Sequence, residues 1–185
     1  GGSDLGPAMA ARALSPYQSG PKCHFVSNID GAHMADALRY LNPRTTLIIV
    51  ASKTFKTVET MTNARTALDW MADKVTFPGD QFVAISSSVD NALEFGVSKQ
   101  NIFRFEDWVG GRFSVWGPIG LALMVAIGPK NFQLFLEGAN SIDKHFRSAA
   151  PEKNIPIMLA LVGFWHNQVC GYQTRAVLPY EQRLC

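Results

Sequence analysis

Short apolar runs alternate with amphipathic stretches along most of the chain. The runs typical of buried strands lie at residues 23–28, 46–51, 81–86, 100–105 and 174–178. Apolar residues at helical spacing lie at 32–41, 57–71, 91–94, 119–127, 130–147 and 155–169. Alternating strands and helices predict an α/β fold with a parallel sheet covered by helices on both faces, a three-layer α-β-α sandwich.

The run at 46–51 is the clearest strand, because it is apolar and rich in β-branched residues throughout, as in a sheet covered on both faces. Ligands of parallel sheets bind beyond the carboxyl ends of the strands. Residues that directly follow strands are therefore the first candidates for a site. No repeat or linker interrupts the 185 residues, which predicts a single domain over 1–185.

A loop of six residues, 52–57, joins the clearest strand to the next predicted helix and combines three hydroxyls with two cations. These side chains are Ser52, Lys53, Thr54, Lys56 and Thr57. Hydroxyls, unpaired amides and the positive end of a helix dipole can bind a phosphate together. The loop lacks the Walker pattern, which disfavours a nucleoside triphosphate. The alternative is that Thr57 only caps the helix, and both interpretations stay open here.

A second loop follows the fourth predicted strand and carries Gly110 and Gly111 directly before Arg112. Two glycines allow a sharp turn that aims the arginine, and a fixed guanidinium suits the stabilisation of an oxyanion or enediolate. Surface pairing of Arg112 with Glu106 or Asp107 explains the same residues, and the two interpretations are equally open.

The first seven residues are rich in glycine, which permits close approach of a ligand to the backbone, although such a stretch is usually a turn. Its glycine spacing does not match a dinucleotide fingerprint. No acidic residue follows the strand at 46–51, so a Rossmann-type nucleotide site is disfavoured.

Composition excludes several classes of partner. The net charge of +2 is spread along the chain, so we expect no nucleic-acid partner. The most apolar segment, 155–165, is too short to span a bilayer, and we expect no membrane association. Three widely spaced cysteines predict neither a disulfide framework nor a zinc cluster, and together with the lack of a signal-peptide pattern they favour the cytoplasm.

These segments together resemble the glucose-6-phosphate isomerase family. The run Asp-Trp-Val-Gly-Gly-Arg-Phe-Ser at 107–114 is similar to a signature of that family and is highly specific. Residues 51–55 and 59–64 resemble its phosphate loop and following helix, and residues 1–7 resemble its first glycine loop. The resemblance extends from the first residue to the last.

The resemblance implies a role for eight residues. By this resemblance, Ser52, Lys53, Thr54 and Thr57 bind the phosphate, and Gly2 and Ser3 line the sugar site. Arg112, oriented by Gly111, stabilises the charge that develops during isomerisation.

The resemblance also implies an activity, the interconversion of glucose 6-phosphate and fructose 6-phosphate through an enediol. It implies no metal or organic cofactor, a cytoplasmic homodimer, and a sugar isomerase (SIS) domain that is part of a longer enzyme. The alternative is a non-catalytic SIS module that senses phosphosugars, but the loop at 110–114 favours the isomerase.

Three departures from the family pattern stand out. Lys56 replaces a threonine and Asn140 replaces a histidine. The catalytic glutamate, the ring-opening histidine and a further lysine of the family match nothing in this chain, so we expect these 185 residues alone to be inactive. The other acids and histidines that we considered match no catalytic position: Glu59, Glu106, Asp107, His24, His33, His145 and His166.

Overall fold

The computed structural model describes residues 2–184, and for Gly2, Ser3 and Arg112 it describes the main chain. The contacts divide the chain into two compact units, residues 1–128 and 129–185. The prediction of a single domain over 1–185 stays a prediction.

The described part of the first unit contains five α-helices and three strands, in the order of a parallel α/β fold. The helices are α1 (Gly2–Ala13), α2 (Gly31–Leu38), α3 (Val58–Ala72), α4 (Val89–Phe95) and α5 (Leu121–Ile127). The strands are β1 (Ile48–Ala51), β2 (Phe82–Ser86) and β3 (Ile102–Arg104). The α/β prediction is confirmed at this level.

The three strands form one parallel sheet in the order β1-β2-β3. In β1, Ile48 lies opposite Phe82 of β2, and the register continues as far as Ala51 opposite Ile85. In β3, Arg104 lies opposite Ser86 of β2. The central strand β2 is buried along its whole length. Because all three strands are parallel, the segments that follow them leave the sheet at the same edge.

Side chains of alternating strand residues pack on opposite faces of the sheet. On one face, Val50, Phe82 and Ala84 belong to a core cluster that includes residues of α2, α3 and α4. On the other face, Ile85 packs with Phe105 and Ile119. Apolar burial on both faces explains why the strand sequences are continuous apolar runs rather than alternating ones.

Helix α3 covers the sheet with one apolar stripe. Its buried residues include Met61, Ala64, Ala67 and Met71, which recur at the three- and four-residue spacing of a helix face. Helix α3 contacts β1 directly, and the entrance of α3 is therefore fixed close to the end of that strand.

Two predicted strands are wrong. Residues 23–28 form no strand. The segment is attached to its neighbours by other contacts: Val26 packs on the core, and the Asn63 amide donates to the Asn28 carbonyl over 2.8 Å. Residues 174–178 also form no strand and are exposed. Neither segment has a ladder partner in the described range 2–184.

The predicted glycine loop at residues 1–7 is also wrong from residue 2 onward, because α1 begins there. Gly6, Pro7 and Ala10 are buried, and α1 packs against residues 112–116 and against α5. Tertiary packing outweighs the poor intrinsic helix propensity of glycine and proline.

The second unit is helical and has little interior. It contains α6 (Pro129–Ser148) and α7 (Ile155–Phe164), followed by a π-helical turn at Trp165–Val169. Among its described residues Asn154 alone is buried, and this residue joins the helices: its side chain accepts from the Ile157 amide over 3.3 Å and donates to the Phe146 carbonyl over 2.8 Å. Within residues 2–184, no helix combines the length and apolarity that a bilayer crossing requires.

The central strand provides a test of the core. Phe82 is 0% exposed, whereas Phe103 on the edge strand is 44% exposed. We expect Phe82→Ala to lower the free energy of unfolding by about 3–5 kcal/mol, because it removes a ring from a close-packed site. The matched variant Phe103→Ala should cost far less. Chemical denaturation measures both, and equal losses would contradict the assignment of β2 to the centre of the core.

Candidate functional site

Loops from all three strands meet at the carboxyl edge of the sheet. The anion loop (residues 52–57) follows β1, the serine loop (Ser86–Ser88) ends β2, and the arginine loop (residues 105–118) follows β3. The Ser52 amide donates to the Ile85 carbonyl over 3.1 Å, so strand-like pairing continues into the start of the anion loop. The predicted candidates therefore lie where a parallel sheet binds ligands.

Two hydroxyls of the anion loop contact each other. Ser52 is 4% exposed, and its Oγ lies 3.2 Å from Oγ1 of Thr57. Thr57 occupies the N-cap position of α3 with extended backbone, but its side chain makes no capping hydrogen bond. This geometry weighs against the interpretation that Thr57 only caps the helix.

Backbone amides are the second group of potential hydrogen-bond donors in this loop. In the described residues, the amides of Lys53, Thr54 and Thr57 donate to no protein acceptor. The first-turn amides of α3 also precede any intrahelical acceptor, since the earliest helical bond at this end runs from Met61 to the Thr57 carbonyl. Several unpaired amides thus lie at the entrance of one helix, a combination that can bind a phosphate.

Phe55 sets the shape of the anion loop. Its φ of 53° places a non-glycine residue in the left-handed region, which costs about 1–2 kcal/mol. The side chain is 3% exposed and packs edge-to-face on Phe95 with ring centroids 5.9 Å apart. Burial of this ring offsets the backbone strain, so the core holds the loop in one conformation.

Lys53 joins the anion loop to the arginine loop. Its Nζ donates to the backbone carbonyl of Asp107. An ammonium group has three N–H donors, and the contact therefore leaves donors for an anion. The structure thus brings Ser52, Lys53 and Thr57 to the same edge as the loop that contains Arg112.

The arginine loop depends on a glycine at 111. Gly111 has a φ of 65° and immediately precedes a short 3₁₀ helix, Arg112–Trp116. The Gly111 carbonyl accepts from the Ser114 hydroxyl over 2.6 Å, which closes the turn. A side chain at 111 would be strained, in agreement with the predicted sharp turn.

The surface alternative for Arg112 involved Glu106, and this carboxylate has another cation nearby. Its Oε2 lies 3.8 Å from Nη2 of Arg104, an exposed ion pair. The side chains of Ser3 and Arg112 lie outside the described part of the structure, and the predicted contacts of these residues and of Gly2 with the substrate stay predictions. Their main chains belong to neighbouring elements, since α1 packs against residues 112–116.

The serine loop and Asn91 also contact the anion loop, although neither was among the residues predicted from the sequence. The hydroxyls of Ser86 and Ser87 each donate to the Lys53 carbonyl over 2.8 Å, and the Asn91 amide donates to the Thr54 carbonyl over 2.9 Å. The available signal was three consecutive serines at the end of a buried strand, the same pattern that marked the anion loop.

A groove of about 610 Å³ lies beside these loops. It is lined by Thr54, Lys56, Ser87, Ser88, Val89, Asp90, Asn91, Arg104 and Asp107. A groove of similar size, about 650 Å³, lies in the second unit and contains none of the predicted site residues. The first groove borders the candidate site, because Thr54 lines it and the unpaired amides lie at the same edge of the sheet. The described residues contain no cluster of three metal-ligating side chains.

Comparison with known proteins identifies the family. Residues 1–185 match the family model described as phosphoglucose isomerase. The glucose-6-phosphate isomerases of Cereibacter sphaeroides and Ruegeria pomeroyi are each 63% identical over 184 residues, which is 100% of this chain and 34% of theirs. The chain thus spans about a third of the length of these relatives.

A solved structure agrees with the sequence relatives. The crystal structure of a glucose-6-phosphate isomerase from Chlamydia trachomatis superposes with a TM-score of 0.88 at 33% identity, covering 100% of this chain and 36% of that one. The match includes the loops at the sheet edge, because it extends over the whole chain. The chain therefore belongs to the phosphoglucose isomerase family.

Proposed function

We propose that this chain is the phosphosugar-binding part of an aldose–ketose isomerase that interconverts glucose 6-phosphate and fructose 6-phosphate. The observation that carries the proposal is the anion loop, where unpaired amides and paired hydroxyls meet at the entrance of α3. Family membership supplies the substrate class, since its relatives are glucose-6-phosphate isomerases.

In this proposal the phosphate and the reacting carbons are bound by different loops. Ser52, Lys53, Thr54 and Thr57 bind the phosphate, an interaction that is the same in substrate and transition state. Gly2 and Ser3 line the sugar. Arg112, aimed by the turn at Gly111, stabilises the oxyanion that forms when a proton leaves C2 and the carbonyl electrons move onto oxygen at C1. Reprotonation at C1, with the C2 hydroxyl proton passing to the oxygen at C1, then converts the aldose into the ketose.

The remaining parts of the proposal concern the longer protein. They are a three-layer SIS domain, a cytoplasmic homodimer, catalysis without a cofactor, and a general base outside the present 185 residues. The apolar coverage of both sheet faces supports the three-layer arrangement. Binding of glucose 6-phosphate by the full-length protein without turnover would favour a phosphosugar-sensing module instead.

The phosphate assignment predicts a change in affinity. In the full-length protein, we expect Thr57→Ala to raise KM for glucose 6-phosphate about tenfold with a much smaller change in kcat, since one hydrogen bond to a charged group is lost. Thr66→Ala is the matched control, because the Thr66 hydroxyl bonds only within α3, to the Thr62 carbonyl over 3.0 Å. Steady-state kinetics measures both variants. A lower kcat at unchanged KM in Thr57→Ala would refute the assignment.

The oxyanion assignment predicts an effect on kcat rather than on phosphate affinity. We expect Arg112→Ala to lower kcat by roughly 10²–10³-fold while the inhibition constant of inorganic phosphate changes little, because the guanidinium acts mainly in the transition state. Arg65→Ala, an exposed position on α3, is the control for loss of a cation. Equal losses in kcat and in phosphate affinity for Arg112→Ala would contradict the separate roles.

A further inference from the structure

Three donors converge on a single carbonyl of the anion loop. The Lys53 carbonyl accepts from the Ser86 hydroxyl and from the Ser87 hydroxyl, each over 2.8 Å, and from the Ser87 amide over 3.1 Å. No other carbonyl of the anion loop is held this way in the described residues. The donors all belong to the serine loop at the end of β2.

The orientation of that carbonyl decides the orientation of one amide. The Lys53–Thr54 peptide is planar and trans, so its C=O and its N–H point in opposite directions. Because the carbonyl faces the serine loop, the Thr54 N–H faces away from it. This N–H is one of the amides with no protein acceptor among the described residues.

The next peptide is fixed from the same side. The Thr54 carbonyl accepts from Nδ2 of Asn91 over 2.9 Å, and the same Nδ2 donates to Oγ of Ser88 over 2.7 Å. The Ser88 amide in turn donates to Oγ of Ser86 over 3.0 Å, and Ser86 is 0% exposed. The donors therefore form a connected network whose members fix one another, and two successive carbonyls are turned towards it.

This arrangement has an electrostatic consequence. A carbonyl oxygen repels an anion, whereas an amide attracts it, so a loop that binds phosphate needs its carbonyls turned away. The three hydrogen bonds from the serine loop hold the Lys53 carbonyl in the orientation that turns it away from the proposed ligand. The peptide is already oriented before the ligand binds, so binding does not have to supply the free energy of ordering it.

We propose that Ser86 and Ser87 are positioning residues that fix the Lys53–Thr54 peptide so that the Thr54 amide faces the substrate phosphate. The inference rests on the proposed function, because it assigns the ligand of the anion loop. Neither serine touches the substrate in this proposal. Both act through the carbonyl of Lys53.

The test uses the full-length protein and the double variant Ser86→Ala/Ser87→Ala. We expect KM for glucose 6-phosphate and the competitive inhibition constant of inorganic phosphate to rise together by about tenfold, the effect of about two modest hydrogen bonds. We expect kcat to stay within about twofold, since the reacting carbons lie at the other loop. A general structural defect would lower kcat as well and would not specifically weaken the affinity for phosphate.

Single substitutions decide the matter if the double variant does not fold. Ser87 is partly exposed, so Ser87→Ala removes its hydroxyl with little change in packing. This variant should raise both constants about threefold, and Ser87→Thr, which restores the hydroxyl, should return them towards wild type. Ser98→Ala is the matched control, because its hydroxyl donates to Asp80 over 3.0 Å on a different loop.

The outcomes separate the inference from the function on which it rests. The proposed function would be overturned if the wild-type protein did not turn over glucose 6-phosphate and was not inhibited by phosphate. Only the role of the serine loop would be overturned if phosphate inhibited the wild-type protein and Ser87→Ala had the same KM and the same inhibition constant of phosphate. Parallel rises in the two constants at constant kcat, absent in Ser98→Ala, would support that role.

Discussion

Parallel pairing of β1 with β2 is the constraint on which the candidate site depends. The register places Ala51 opposite Ile85, and the bond from the Ser52 amide to the Ile85 carbonyl extends the pairing by one residue. The anion loop therefore begins beside the serine loop rather than in solvent. Any shift in register would separate the Lys53 carbonyl from its donors and release the peptide that presents the Thr54 amide.

The candidate site and the hydrophobic core share a residue. Phe55 lies in the middle of the anion loop, yet its ring belongs to the core cluster beneath the sheet. Its left-handed backbone is tolerated because the buried ring and the hydrogen-bonded carbonyls on its N-terminal side leave the chain no relaxed alternative. Packing of this ring therefore holds the anion loop in one conformation.

The two units differ in how much of their apolar surface they bury. The first encloses both faces of its sheet, whereas α7 in the second leaves Leu159, Leu161 and Phe164 more than half exposed. Exposed apolar surface on this scale is unusual for a helix of a monomeric globular unit. The fold around the site is therefore supported by the first unit, and the second adds helices whose only buried described residue is Asn154.

The sequence by itself determined the three strands, the helix α3 and the places of the anion and arginine loops after their strands, because apolar runs, helical spacing and hydroxyl-rich strand ends are local signals. Only the tertiary structure decided that residues 2–7 join a helix, that residues 23–28 pair with no strand, and that the serine loop lies against the anion loop. These outcomes depend on contacts between residues far apart in the chain, such as Ser86 with Lys53, and no local pattern encodes which distant carbonyl a hydroxyl will reach.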